Sequence, residues 1–152
     1  MAIVFVATVA AIASSVVVIK QSNRIAKIER KIGSGSVDQV AAQADRDAHN
    51  LHFSLPSPDS KSRIDGVLTK RGTGFLLGGD VKDAPSDVRY QLWADTSAGP
   101  VSLGLLDADV DDAFAFHLPD QASGLFVTAE APTGAVSPSP SVVVKGALPA
   151  HS

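Results

Sequence analysis

The sequence predicts an all-β domain, an antiparallel sandwich, set behind one transmembrane α-helix and a helical, linker-like stalk. Three observations carry this reading. The first nineteen residues hold no charged side chain. From Asn50 onward apolar residues recur with period two rather than with a helical period. Turn-forming residues separate these alternating runs at short intervals. The length, 152 residues, suits one domain with an appendage. With 45% apolar and 19% charged residues, enough apolar surface exists to offset ordering entropy, which excludes a disordered chain. A net charge of -3 leaves no basic excess for phosphates and argues against a nucleic-acid partner. Cysteine is absent, which removes disulfides, Cys-based zinc sites, Fe–S clusters and thiol nucleophiles together.

The apolar run, residues 1–19, reads MAIVFVATVAAIASSVVVI. As a helix it would be about 28 Å long, close to the ~30 Å hydrocarbon core of a bilayer. Its hydroxyls, Thr8, Ser14 and Ser15, can each bond a carbonyl one turn back. A cleaved signal peptide fits less well, because no basic region precedes the run. Residues 20–49 form the stalk. They open with Lys20, Arg24, Lys27, Arg30 and Lys31, against which Glu29 is the only acid before residue 36. The positive-inside rule would put this flank, and all that follows, in the cytoplasm. Ile25, Ile28 and Ile32 make one apolar heptad, too little for a coiled coil. Gly33-Ser34-Gly35-Ser36 interrupts the helix. Ser36 and Gln39 then form a potential capping box, and Val37, Val40, Ala41 and Ala44 recur at helical spacing, predicting a second short helix to about Ala48.

Residues 50–146 carry the strands, and 147–152 are a tail. Leu51, Phe53 and Leu55 alternate with His52 and Ser54. Ile64–Thr69 and Thr73–Leu77 are less regular apolar runs. Val88, Tyr90, Leu92 and Ala94 alternate with Arg89, Gln91 and Trp93. Val101, Leu103 and Leu105 follow, then Phe114, Phe116 and Leu118, then Leu125, Val127 and Ala129, then Val142 to Val144. The breaks are turn chemistry: Pro56-Ser57-Pro58-Asp59, Gly78-Gly79-Asp80, Ser97-Ala98-Gly99-Pro100, Pro119-Asp120 and Ser137–Pro140. Seven or eight short strands over roughly 100 residues describe a β-sandwich of the immunoglobulin-like kind. Strict alternation further predicts one wet face per sheet.

No constellation supports catalysis. Asp107, Asp109 and Asp111 have calcium-loop spacing, but Asp112 stands where that loop needs Gly, and Leu118 where it needs a bidentate Glu. A solvated turn suffices. His49 and His52 lack a third ligand for zinc, and His117 and His151 are scattered. There is no G-x-S-x-G elbow. Gly72-Thr73-Gly74 and Gly78-Gly79 lack the Lys-Ser/Thr and the helix of a phosphate loop. No cofactor or metal site is predicted, and the expectation is a protein that is not an enzyme.

Particular residues go further. Arg89-Tyr90-Gln91-Leu92-Trp93-Ala94 followed by Gly99-Pro100-Val101-Ser102-Leu103-Gly104-Leu105-Leu106 resembles the YQLW…G-x-PVS-x-G-x-F stretch of anti-sigma-K factor C-terminal domains. Gly124-Leu125-Phe126-Val127-Thr128-Ala129-Glu130 resembles that family's A-x-TVEP strand. Pro132-Thr133-Gly134 through Lys145-Gly146 is similar to its closing segment, with Ala135-Val136 in place of Gly-Gly. The matching motif residues are Tyr90, Gln91, Leu92, Trp93, Pro100, Val101, Gly104, Thr128, Glu130 and Gly146. On the residue pattern alone, Tyr90 shares a face with Val88 and Leu92, and Trp93 lies on the other with Gln91. Trp93 is then either a structural cover for its sheet or part of an exposed recognition patch.

The resemblance implies a membrane-anchored regulator of sigma factor activity, with the bilayer as one partner and an intramembrane protease as another. Its sandwich would be an extracytoplasmic sensing or stability module, whose proteolysis releases the sigma factor. This places the sandwich on the side of the membrane opposite to that favoured by Lys20 to Lys31. The family's N-terminal, sigma-binding domain has no counterpart in these residues, so a sigma factor would be reached through an upstream or separate chain. The competing expectation is an anchored binding or structural module of the cell envelope, unrelated to transcription.

Overall fold

The computed structural model describes residues 36–106 and 112–149. The expected membrane span, its basic flank, most of the Asp107–Asp112 run and His151 lie outside these residues. Among the described residues no helix is long and apolar enough to cross a membrane. The compact unit that holds the described residues begins at Ser36.

Among the described residues one helix, α1 (36–46), precedes eight strands. These are β1 (Leu51–Pro56), β2 (Arg63–Leu68), β3 (Thr73–Gly79), β4 (Arg89–Thr96), β5 (Val101–Leu105), β6 (Phe114–His117), β7 (Ala122–Glu130) and β8 (Val142–Ala147). They make two four-stranded sheets in the orders β1-β2-β3-β6 and β5-β4-β7-β8. Every neighbouring pair is antiparallel. The neighbours β2-β3-β6 and β4-β7-β8 are arranged as strands A-B-E and C-F-G are in immunoglobulin sandwiches.

The core lies between the sheets. Phe53, Leu55, Ile64, Leu68, Leu76 and Phe116 come from one, and Tyr90, Leu92, Ala94, Leu125, Val127 and Val144 from the other. The rings of Phe53 and Phe116 meet edge to face at 6.4 Å. Phe53 fits because the residue opposite it in β2 is Gly66. A Cβ at Gly66 would lie 2.2 Å from the Phe53 ring.

The expectation of one wet face per sheet is corrected for the central strands. In β4 every residue from Tyr90 to Ala94 is buried, and in β7 every residue from Gly124 to Thr128. Each sheet carries a cover on its outer face. Over β2 and β3 the cover is α1, which lays Ala41 and Ala44 on Val67 and Phe75. The spacing of Val37, Ala41 and Ala44 puts them on one stripe of the helix, and their small side chains let it approach the strands closely. The N–H of Ala113, just before β6, donates to Asp38 Oδ1 at 2.9 Å. Asn50 Nδ2 donates to the Ala44 carbonyl at 2.9 Å, adding to the longer bond that this helix-end acceptor takes from the Asp47 N–H at 3.3 Å. The sequence grouped these residues with the stalk; in the structure α1 packs as a layer of the sandwich.

Candidate functional site

The cover of the second sheet is built from the motif residues. Antiparallel register sets Gln91 opposite Thr128 and Trp93 opposite Phe126, so the four share the outer face of β4 and β7. Trp93 and Phe126 stack with centroids 6.4 Å apart and planes 14° from parallel. Lys145, paired with Phe126 from β8, holds its ammonium 5.3 Å from that ring and 3.2 Å from Asp95 Oδ2.

A chain of hydrogen bonds runs out from the indole. Trp93 Nε1 donates to Thr128 Oγ1 at 2.8 Å. The Thr128 hydroxyl donates to Glu130 Oε1, two residues along the same face. The same carboxylate oxygen accepts the N–H of Ser139 at 2.8 Å. Ser139 closes the chain by donating its hydroxyl to the Ala129 carbonyl at 3.0 Å. Burial opposes the charge on Glu130, but the Ser139 N–H and the Thr128 hydroxyl outweigh it and hold the carboxyl below its ordinary range. Gln91 does similar work one step away. Its Nε2 donates to Ser102 Oγ at 2.7 Å and to the Ala135 carbonyl at 3.0 Å, while its Oε1 accepts the Ala135 N–H at 2.8 Å. Gln91 and Glu130 thereby fasten the β7–β8 connection, residues 131–141, over the sheet.

The other motif residues are placed elsewhere. Leu92 is fully buried between the sheets. Tyr90 is in the core too, with its hydroxyl donating to the Lys82 carbonyl at 3.1 Å. Burial, then the charge of Asp83, pushes that phenol up. Pro100 and Val101 lie at the β4–β5 turn, with Val101 exposed. Gly104 sits opposite Leu92 beside a bulge, at φ 138°, with the Phe114 ring 2.9 Å from where a Cβ would be. Gly146 lets β8 pass close to β1: a Cβ there would meet the Ser54 carbonyl oxygen at 2.6 Å. Trp93 is 1% exposed, so it belongs to the cover and not to an exposed recognition patch.

Sequence reasoning missed Ser102, Ala135 and Ser139. Two lie in or near loops, where no period marks a partner. The usable signal was the alternation that puts Thr128 and Glu130 on one face of β7 and Gln91 and Trp93 on one face of β4, the two lying on the same side of the sheet, with an acid among them that needs a donor. His49 and His52 do not converge on a metal. Each faces an aspartate instead, Asp47 at 3.0 Å and Asp45 at 3.2 Å. Among the described residues no group of three His, Cys, Asp or Glu side chains could hold a metal ion. The bonded groups of the cover are partnered with one another, an arrangement that holds a loop and presents no nucleophile.

The family model described as Anti-sigma-K factor rskA, C-terminal, matches residues 2–144. The chain belongs to the anti-sigma-K factor C-terminal family. Comparison with curated proteins and with solved structures returns no match. The match runs through both sheets and through the N-terminal apolar run, and the family is regulatory rather than enzymatic. Membership supports an anti-sigma-factor regulatory role.

Proposed function

We propose that this chain is a membrane-anchored anti-sigma-factor-like regulator, and that its sandwich is an extracytoplasmic sensing and stability module. The observation that carries the reading is the family match over residues 2–144, which takes in the uncharged run as well as the sandwich. The run is long enough to span a bilayer. The sandwich supports a role in stability over one in chemistry, because its polar groups on the β4–β7 face serve to fasten residues 131–141. A sigma factor is engaged through a partner domain, upstream or on a separate chain. An intramembrane protease acting near the span would end the inhibition.

The test joins topology to activity. A C-terminal tag on the full chain should resist carbonate extraction and be cleaved by protease added outside intact cells. Removal of the sandwich should change the output of a sigma-dependent reporter in the same cells. A tag released by carbonate, or protected from external protease, would overturn the anchored, outward placement. An unchanged reporter would overturn the regulatory part.

A further inference from the structure

Residues 36–152 are acidic, with fifteen Asp and Glu against eight Lys and Arg, a net of -7. Yet three of those eight cations line one open cleft, of about 770 Å³, between α1 and the β2–β3 turn. Arg46 comes from the last residue of α1, and Lys70 and Arg71 from the turn. Among the described residues none of the three is in an ion pair; the five pairs use other side chains. The one acidic residue of the lining, Asp47, is engaged by the backbone N–H and the ring of His49, and it also feels the charge of Lys70 without pairing with it. The floor is apolar. Ala44 and Phe75 form it, and Val40, 54% exposed, stands at its side.

We propose that this cleft binds a phosphate monoester with an apolar body. Three cations outside any ion pair, against the single carboxylate of Asp47, match a doubly charged head better than a carboxylate, and guanidinium groups bond phosphate oxygens in pairs. The apolar body lies against Val40, Ala44 and Phe75, in the division of apolar walls and few polar anchors common to small-molecule sites. Such a ligand bridges α1 to the β2–β3 turn. Residue 36, where α1 starts, is also where the N-terminal segment enters the compact unit. Occupancy therefore favours the docked helix over the undocked one by the ligand's difference in affinity for the two. The site stands on its own geometry; its use as a signal rests on the sensing role proposed above.

The test is calorimetric titration of the full chain, in discs of neutral phosphatidylcholine at low ionic strength, with empty discs as the blank. Phenyl phosphate is the probe, and inorganic phosphate and phenol are the comparisons. Phenyl phosphate should saturate, inorganic phosphate should bind several-fold more weakly, and phenol should not bind. The double variant Lys70→Gln/Arg71→Gln should weaken phenyl phosphate by about tenfold or more, as loss of charge-assisted bonds requires. Arg46→Gln should weaken it in the same direction. Both variants lie on exposed positions, and an unchanged strand spectrum and melting curve would confirm that they fold. No saturable binding by the native chain, undiminished binding by the folded double variant, or equal affinity for inorganic phosphate would each overturn the proposal. A further arm uses discs containing phosphatidic acid. Displacement of phenyl phosphate there supports the site with a lipid headgroup as occupant; undiminished binding supports it with a soluble ester. No arm reads sigma-factor activity, so failure here leaves the regulatory reading standing, and failure of that reading leaves the site.

Discussion

Trp93 reaches across the β4–β7 pair to donate its indole N–H to Thr128 Oγ1, 2.8 Å away. Both residues are buried, with Thr128 fully so. The hydroxyl serves two partners at once, accepting from the indole and donating to Glu130. Replacing it with a methyl group leaves a buried donor and a carboxylate each short of a partner. Thr128→Val should therefore destabilise the chain by about 1–3 kcal/mol, and Thr128→Ser by less. Trp93 is the single tryptophan, so its emission reports unfolding in urea without a label. Equal midpoints for the native chain and Thr128→Val would show that the hydrogen-bond chain contributes nothing.

Glu130 carries a pH dependence whose sign is fixed. Its carboxyl is held below its ordinary range, despite burial, by the Ser139 N–H and the Thr128 hydroxyl. The folded protein thus favours the ionised form more than the unfolded chain does. The stabilisation is complete above the ordinary value of 4.5 and is lost as the pH falls through the lower folded value. Glu130→Gln should be less stable than the native chain at pH 7, and the gap should close with acidification below pH ~4. A gap that widens in acid would contradict this assignment.

Gly66 is held to glycine by space. A Cβ there would lie 2.2 Å from Phe53 and 2.8 Å from the Phe75 carbonyl oxygen. Gly66→Ala should cost about 1–3 kcal/mol through overpacking. Removing the ring as well, in Gly66→Ala/Phe53→Leu, should cost less than the two single changes added together, because the clash is between those two side chains. Strict additivity in denaturant midpoints would place the strain elsewhere.

What the sequence reveals and what it hides follow from range. Period-two runs report which strands exist, and each run became one: Leu51 to Leu55 in β1, Phe114 to Leu118 in β6, which ends one residue short at His117, and Leu125 to Ala129 in β7. Alternation is a local signal, and it cannot say what lies on the outer face. Gln91 and Thr128 are polar and fall on the predicted wet face, yet both are buried, Gln91 against Ala135 and Thr128 between Trp93 and Glu130. Val101, Leu103 and Leu105 read as a regular inward row, but β5 is an edge strand whose register shifts opposite Leu92 and Trp93. Leu103 ends only partly buried. The motif spacing marked Gln91, Trp93, Thr128 and Glu130 without their partners, since Ser139 and Ala135 reach them through a loop that has no period.

α1 is attached by a small contact, and its loss should be separable from loss of the sandwich. Ala41 is 1% exposed against Val67 and Phe75, while the main core lies on the other side of those strands. Ala41→Glu would bury a charge without a partner, which the helix avoids by undocking. Hydrogen exchange should then speed up across residues 36–46 and leave β4 and β7 protected. Exchange that rises in all strands together would mean that α1 is needed for the sandwich to fold.

The compact unit should not capture a sigma factor without a partner domain. A stable complex buries about 800 Å² on each side around an apolar centre. The exposed large apolar residues among those described are four valines, Val40, Val101, Val136 and Val142, each on a different element or loop. Helix-in-groove recognition needs an amphipathic helix with a free apolar face. The helix of this unit, α1, spends its stripe of Val37, Ala41 and Ala44 on β2 and β3. The aromatic pair that would make a strong anchor, Trp93 and Phe126, is stacked and covered. Co-expression of tagged Ser36–Ser152 with sigma factors, followed by affinity capture, should return none in stoichiometric amount. Specific one-to-one capture of a single sigma factor would show that the sandwich itself is the inhibitor.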